Sequence, residues 1–198
     1  MDSDLEQTAR SLMQDFVAAG RPAAEWIDRL PTDEANCRAL AVAFDRIGVE
    51  AYNSDDIDVA NDAFWHLFVL RLTLVRENPD SRDDLRDFAS AEDLLGQAQL
   101  WRGDLVSAER LLREASAYRQ GLHSDDETDV HAAYLHGIGL WHLSWVEARK
   151  RNFDVEKSLV ERARDQLAPL KEQYPGSAYI ESACAEVEAR LSEIQSSQ

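Results

Sequence analysis

The residues of this sequence best suited to chemistry are its clustered aspartates. Asp83-Asp84-Leu85-Arg86-Asp87 and Asp125-Asp126-Glu127-Thr128-Asp129 both spell Asp-Asp-x-x-Asp. On a helix that spacing sets carboxylates one turn apart, an arrangement that can hold magnesium ions on a diphosphate. Both clusters, however, read as following a loop and opening a helix, beside Ser81 and Ser124. Acids in a first helical turn are stabilised by the macrodipole, by roughly 0.3–1 kcal/mol each. The chain also lacks basic residues placed for a diphosphate, so helix starts are the simpler reading.

His131, His136 and His142 fall on one helical segment and invite a metal reading. At about 100° per residue, His131 and His136 stand about 140° apart and face different ways. His131 and His142 share a face but lie about 16 Å apart along it. Neither pair can share a zinc ion, and no cysteine or His-x-x-x-His spacing completes a site. Asn53-Ser54-Asp55-Asp56-Ile57-Asp58 has the look of a calcium loop but lacks glycine at its sixth place and a closing glutamate. No Gly-rich phosphate loop, nucleophile elbow or Cys/His couple is present. The expectation is therefore no catalytic residue, no metal, no cofactor and no enzyme. Tyr52, Trp101, Trp141 and Trp145 remain as aromatic residues for either a core or a groove.

The elements that carry these residues repeat. Gly48 recurs as Gly96 and Ala60 as Ala108, an interval of 48 in both cases. A fixed period with small residues at matched places marks stacked helix–turn–helix units that share one core. Almost everything reads as helix, with scarce Gly and Pro sitting between apolar-periodic segments. A first helix covers about Asp4 to Ala19 and stops at Gly20. Pro22 opens a short helix with Trp26 and Ile27 that ends before Pro31. Thr32 caps the next helix, which runs to about Tyr52, and the turn at Asn53–Asp55 leads into a long helix closing at Asn78-Pro79. Asp80-Ser81 caps a helix through Leu100, Gly103 makes the turn, and Leu105 to Tyr118 returns, ending at Gly121. Asp125 to Lys150 pairs with a helix from about Asp154 that Pro169 kinks. A last helix follows Tyr174-Pro175-Gly176.

At 198 residues the chain fits one domain or short array, with ordinary hydrophobic content of 44%. A net charge of −17 repels phosphates, which argues against nucleic-acid and anionic-membrane partners and favours a basic protein or peptide. Cys37 and Cys184 read as two buried thiols in a reducing compartment, with one disulfide left open. No apolar run of about 18 residues exists, and the N-terminal segment is acidic, so a cytoplasmic location is expected.

Over about residues 35–120 the sequence resembles the tetratricopeptide repeat family. The first unit offers Phe44, Ile47, Gly48, the turn Asp55-Asp56-Ile57, Ala60 and Phe64; the second offers Leu95, Gly96, the turn Gly103-Asp104-Leu105, Ala108, Leu112 and Ala115. The period of 48 resembles the long-helix variety of kinesin light chains and bacterial signalling proteins, as do Arg76-Glu77-Asn78-Pro79-Asp80-Ser81 and Ala108–Ala115. A third unit departs from the pattern, since Trp145 or Val146 would match the crossing glycine and both are large. The resemblance implies an all-α, right-handed superhelical array of about three antiparallel helix hairpins. Its parts would be N-terminal helices (1–31), repeats at 32–79, 80–122 and 123–174, and a capping helix (175–198).

Carried over residue by residue, the family's groove-facing places are Asp45, Val49 and Tyr52 in the first unit, and Asp93, Gln97 and Trp101 in the second. The resemblance implies a non-enzymatic interaction module, an adaptor, scaffold or regulatory subunit, whose groove takes a peptide or protein partner. The acids there would favour a basic segment of another chain, such as a separate effector enzyme. Two alternatives stay open: an acidic chaperone for an exported protein, and, more distantly, a helical-bundle enzyme using its aspartates as prenyl-transferring enzymes do.

Overall fold

The computed structural model describes residues 2–21 and 26–196. These residues form eight α-helices and one 3-10 turn, with no strand among them. Helix α1 spans Asp2–Ala18, and the turn Ile27–Arg29 follows. Then come α2 (Glu34–Asn53), α3 (Ile57–Glu77), α4 (Arg82–Arg102), α5 (Leu105–Asp125), α6 (Val130–Lys150), α7 (Phe153–Gln173) and α8 (Ala178–Ser196). The expected helix start at Pro22 lies outside the described residues.

The chain is a helical repeat, and its period is stricter than the sequence suggests. Helices α2, α4, α6 and α8 start at residues 34, 82, 130 and 178, and α3, α5 and α7 at 57, 105 and 153, an interval of 48 at every step. Local chemistry keeps the same period. The side chains of Asp33, Ser81 and Asp129 accept the N–H of Asn36, Asp84 and Ala132 at 3.0, 3.2 and 2.9 Å, opening α2, α4 and α6. Asp56 and Asp104 do the same for Val59 and Ser107, opening α3 and α5. Each such cap stabilises its helix by about 1 kcal/mol. In the turns that lead into α3, α5 and α7, the residue before the N-cap is left-handed, with φ of 60° at Asp55, 85° at Gly103 and 62° at Arg151.

Several boundaries differ from expectation. Asp33, not Thr32, caps α2. Gly121 does not end α5, which continues to Asp125; a methyl added at Gly121 would meet nothing within 4 Å, so an exposed helix interior tolerates it. Asp125 does not open α6: Asp126 instead closes on Thr128, and Asp129 is the cap. Helix α7 carries Pro169 inside its span, as expected. The third unit also keeps the register. The residue 48 beyond Gly96 is Ser144, fully buried, whose hydroxyl donates to Trp141 O at 2.6 Å. The small crossing residue is present there, and neither Trp145 nor Val146 takes its place.

Contacts divide the chain into two units, Met1–Arg102 and Gly103–Gln198. In the first, α1 packs on α2, α2 on α3 and α3 on α4. Gly48 lets α2 and α3 close: a Cβ there would stand 2.6 Å from Cδ1 of Phe64, whose ring is fully buried. In the second unit, α5 packs on α6, α6 on α7 and α7 on α8. Gly137 serves α6 and α7 in the same way, with Leu167 Cγ 2.7 Å from the place of its missing Cβ.

Candidate functional site

All six expected groove residues lie on α2 and α4 of the first unit. Both helices pack on α3, which runs opposite to each, so they run in the same direction. Their ends are tied directly. At the start, the Arg38 guanidinium grips both oxygens of Asp84 at 2.6 and 3.0 Å. At the far end, Trp101 Nε1–H donates to the Tyr52 hydroxyl at 2.5 Å. Between these two ties runs the seam of α2 and α4 over α3, termed the furrow.

Asp45 is exposed in this furrow and makes no hydrogen bond among the described residues. Burial of its carboxyl end pushes its pKa above the ordinary carboxylate range, opposed by Arg71 and assisted by Asp87. Arg71 itself is engaged by Asp87 at 2.7 Å. Two carboxylates thus face one guanidinium. Val49 keeps 39% of its surface open one turn further along. The Tyr52 phenol is held above its usual range by burial first, against the Trp101 hydrogen bond and with Asp93 adding. Trp101 is half exposed, and its indole forms a lip.

Asp93 and Gln97 are placed differently from the open positions implied by the resemblance. Asp93 is 3% exposed and Gln97 9%, and the Gln97 amide donates to Asp93 Oδ2 at 2.9 Å. They form a buried polar pair behind the furrow, where an amide donor satisfies a carboxylate oxygen that burial would otherwise penalise.

The aspartate clusters are taken up by structural partners. Asp84 is almost fully buried against Arg38, which holds its carboxyl below the usual range; Asp83 meets Arg86 at 2.8 Å and Asp87 meets Arg71. Among the described residues, no group of three His, Cys, Asp or Glu is placed to hold a metal ion. His131 is exposed, His142 half-buried, and His136 buried, with its pKa lowered by burial and then by Arg162 and His123.

In the second unit, α6 carries a stripe of half-buried Tyr134, Ile138 and Trp145 around a buried Trp141, the places that follow Arg86, Ser90, Gln97 and Asp93 by one period of 48. Trp141 and Trp145 meet edge to face at 5.5 Å, and Tyr134 meets Tyr179 of α8 at 5.0 Å. The polar face of α4 is replaced there by an aromatic one.

The sequence reading passed over a polar core in the first unit. His66 is fully buried, stacked on Phe44 at 4.7 Å and edge-on to Phe16 at 4.9 Å. Its Nε2 accepts from Trp26 Nε1–H at 3.1 Å, while Nδ1 lies 2.7 Å from Asp62 O. One helical turn earlier, the Asp62 carboxylate takes Arg21 bidentately at 2.9 and 2.8 Å. A recess of about 400 Å³ lies beside this core, lined by Met13, Val17, Ile47 and Val59. It opens along α1 rather than into the furrow.

No protein-family model matches the chain, and no curated protein matches it. Among solved structures it is similar to the designed helical repeat protein DHR64, at 16% identity over 98% of this chain and 93% of that one, with a TM-score of 0.36. The DHF58 filament gives 15% identity over 98% and 92%, also at 0.36. Scores this low carry no argument, and the helical repeat rests on the element spacing above. No helix among the described residues is long and apolar enough to cross a membrane.

Proposed function

We propose that this chain is a non-enzymatic interaction module that binds a basic segment of another protein in the furrow between α2 and α4, as an adaptor, scaffold or regulatory subunit in the cytoplasm. The observation that carries the reading is the surplus carboxylate at Asp45. Arg71 is committed to Asp87, so a lysine or arginine from a partner is the cation that completes the pair. Val49 and the Trp101–Tyr52 lip flank that carboxylate with apolar surface for the partner's chain. The resemblance to tetratricopeptide repeats assigns its groove to the same face. The net charge of −17 speeds encounter with a basic partner.

The aromatic stripe on α6 favours a second reading, a chaperone-like holder of an extended apolar segment. The two readings separate by salt. Binding through Asp45 weakens as ionic strength rises, whereas binding on Tyr134, Ile138 and Trp145 does not. The experiment is affinity capture from the native cell, followed by titration of the recovered partner against Asp45→Lys. Loss of tenfold or more in affinity with an unchanged circular dichroism spectrum supports the furrow; unchanged affinity rejects it.

A further inference from the structure

The N-terminal arm, α1 and the turn after it, precedes the 48-residue period; α1 packs on α2, with Glu6 on Arg46 and Arg10 on Glu50, and one turn of α3 holds the segment after α1. Asp62 takes Arg21 just past α1, and His66 takes Trp26 just before the 3-10 turn. An indole N–H can only donate, so His66 Nε2 must be the unprotonated acceptor. The ring proton then sits on Nδ1 and donates to Asp62 O, which leaves a neutral imidazole with both nitrogens satisfied. Its surroundings are built for that neutral form. Phe16 comes from α1, Trp26 from the turn and Phe44 from α2. The charged groups nearby are Asp62, neutralised by Arg21, and Arg29, whose guanidinium stacks 4.6 Å over the Trp26 ring. From the other side, α4 meets α3 through Phe88 on Phe68 and Gln99 on Asn61.

We propose that His66 is an acid-operated latch: a proton on Nε2 expels Trp26 and frees the turn that carries it from α3. The protonated ring would set N–H against N–H across the 3.1 Å contact and place a cation in a site with no solvent exposure. Neither Phe16 nor Phe44 can satisfy that extra donor. Withdrawal of Trp26 lets solvent reach the ring, which is fully buried while the contact holds. The α2–α3 hairpin keeps its own close contact at Gly48 and Phe64, and α1 keeps its packing on α2, so Trp26 can leave without unfolding the repeat. The balance is simple: one proton is taken from solvent, one hydrogen bond is lost, and no covalent bond changes. Burial holds the imidazole below its ordinary range, which keeps the latch shut at neutral pH.

The test is a pH titration of the full chain followed by nitrogen–proton NMR, observing the Trp26 indole (assigned with Trp26→Phe) and the His66 imidazole together. The two signals are expected to move with one midpoint, the ratio of latched to released form falling about tenfold one pH unit below it. In His66→Gln, which keeps an acceptor but cannot titrate, the Trp26 indole signal is expected to persist through that range. A Trp26 indole that stays put while His66 titrates overturns the proposal, as does loss of the indole signal at the same pH in His66→Gln. Should that variant fail to fold, coincidence or separation of the two wild-type midpoints decides the matter.

Discussion

Substituting Gly48 by alanine tests whether the first hairpin depends on close helix approach. The added Cβ would lie 2.6 Å from Cδ1 of Phe64, about 1 Å inside ordinary carbon contact. The Phe64 ring is fully buried and cannot swing into solvent, so helix or ring must shift. Overpacking of this kind costs about 1–3 kcal/mol. Against it, alanine gains about 1 kcal/mol over glycine in a helix interior. With the ring unable to move aside, the clash should win, leaving a net loss of up to about 2 kcal/mol, or a fall of up to several degrees in Tm at about 2–4 °C per kcal/mol. Gly121→Ala is the matched control. It too sits inside a helix, but nothing lies within 4 Å of its missing Cβ, so it should gain about 0.5–1 kcal/mol. Urea midpoints of both variants measure the contrast. Phe64→Leu should relieve part of the Gly48→Ala penalty, giving a favourable coupling of about 1 kcal/mol in a double-mutant cycle. If Gly48→Ala proves as stable as Gly121→Ala, the close crossing is not what sets the hairpin.

Other perturbations follow from named contacts. Arg38→Met leaves the carboxylate of nearly buried Asp84 without its bidentate partner and should cost about 1–3 kcal/mol by urea denaturation. Arg38 depresses the Asp84 pKa, so this stability is present above the ordinary carboxylate range and lost as pH falls through the folded value; Arg38→Met should flatten that acid slope. Arg151→Gly places the residue that prefers φ near 62° in a left-handed position and should raise Tm, by about 0.5–1 kcal/mol of stability. For His66 the folded pKa is lowered, so the unfolded chain takes its proton first. Its contribution is full above about pH 6.5 and declines as pH falls from there towards the folded value, a slope that His66→Gln should lack.

The period was legible where residue identity survived, at Gly48 and Gly96 and at Ala60 and Ala108. It was hidden where only chemistry survived. Ser144 does the work of glycine because a small buried hydroxyl can bond back to Trp141 O, and Asp33, Ser81 and Asp129 cap alike although their letters differ. Runs such as Asp125–Asp129 offer several caps, and tertiary packing selects the one that buries Ala132 and Ala133. Gly121 misled because an exposed helix tolerates glycine at a modest cost. For the candidate site, the sequence placed Tyr52 and Trp101 on comparable faces but could not show that their side chains meet. Nor could it show that Asp93 turns inward to Gln97. His66 left one readable trace: it lies four residues after Asp62, on the same face of an otherwise apolar run.

The most direct measurement is photo-crosslinking of the purified partner from two single sites. A benzophenone side chain at Val49, in the furrow, is compared with one at Val106, which is 81% exposed on α5. The account predicts a partner adduct from position 49 that disappears in the Asp45→Lys background, and none from position 106. An adduct from position 106 alone, or one from position 49 that survives the charge reversal, would contradict it.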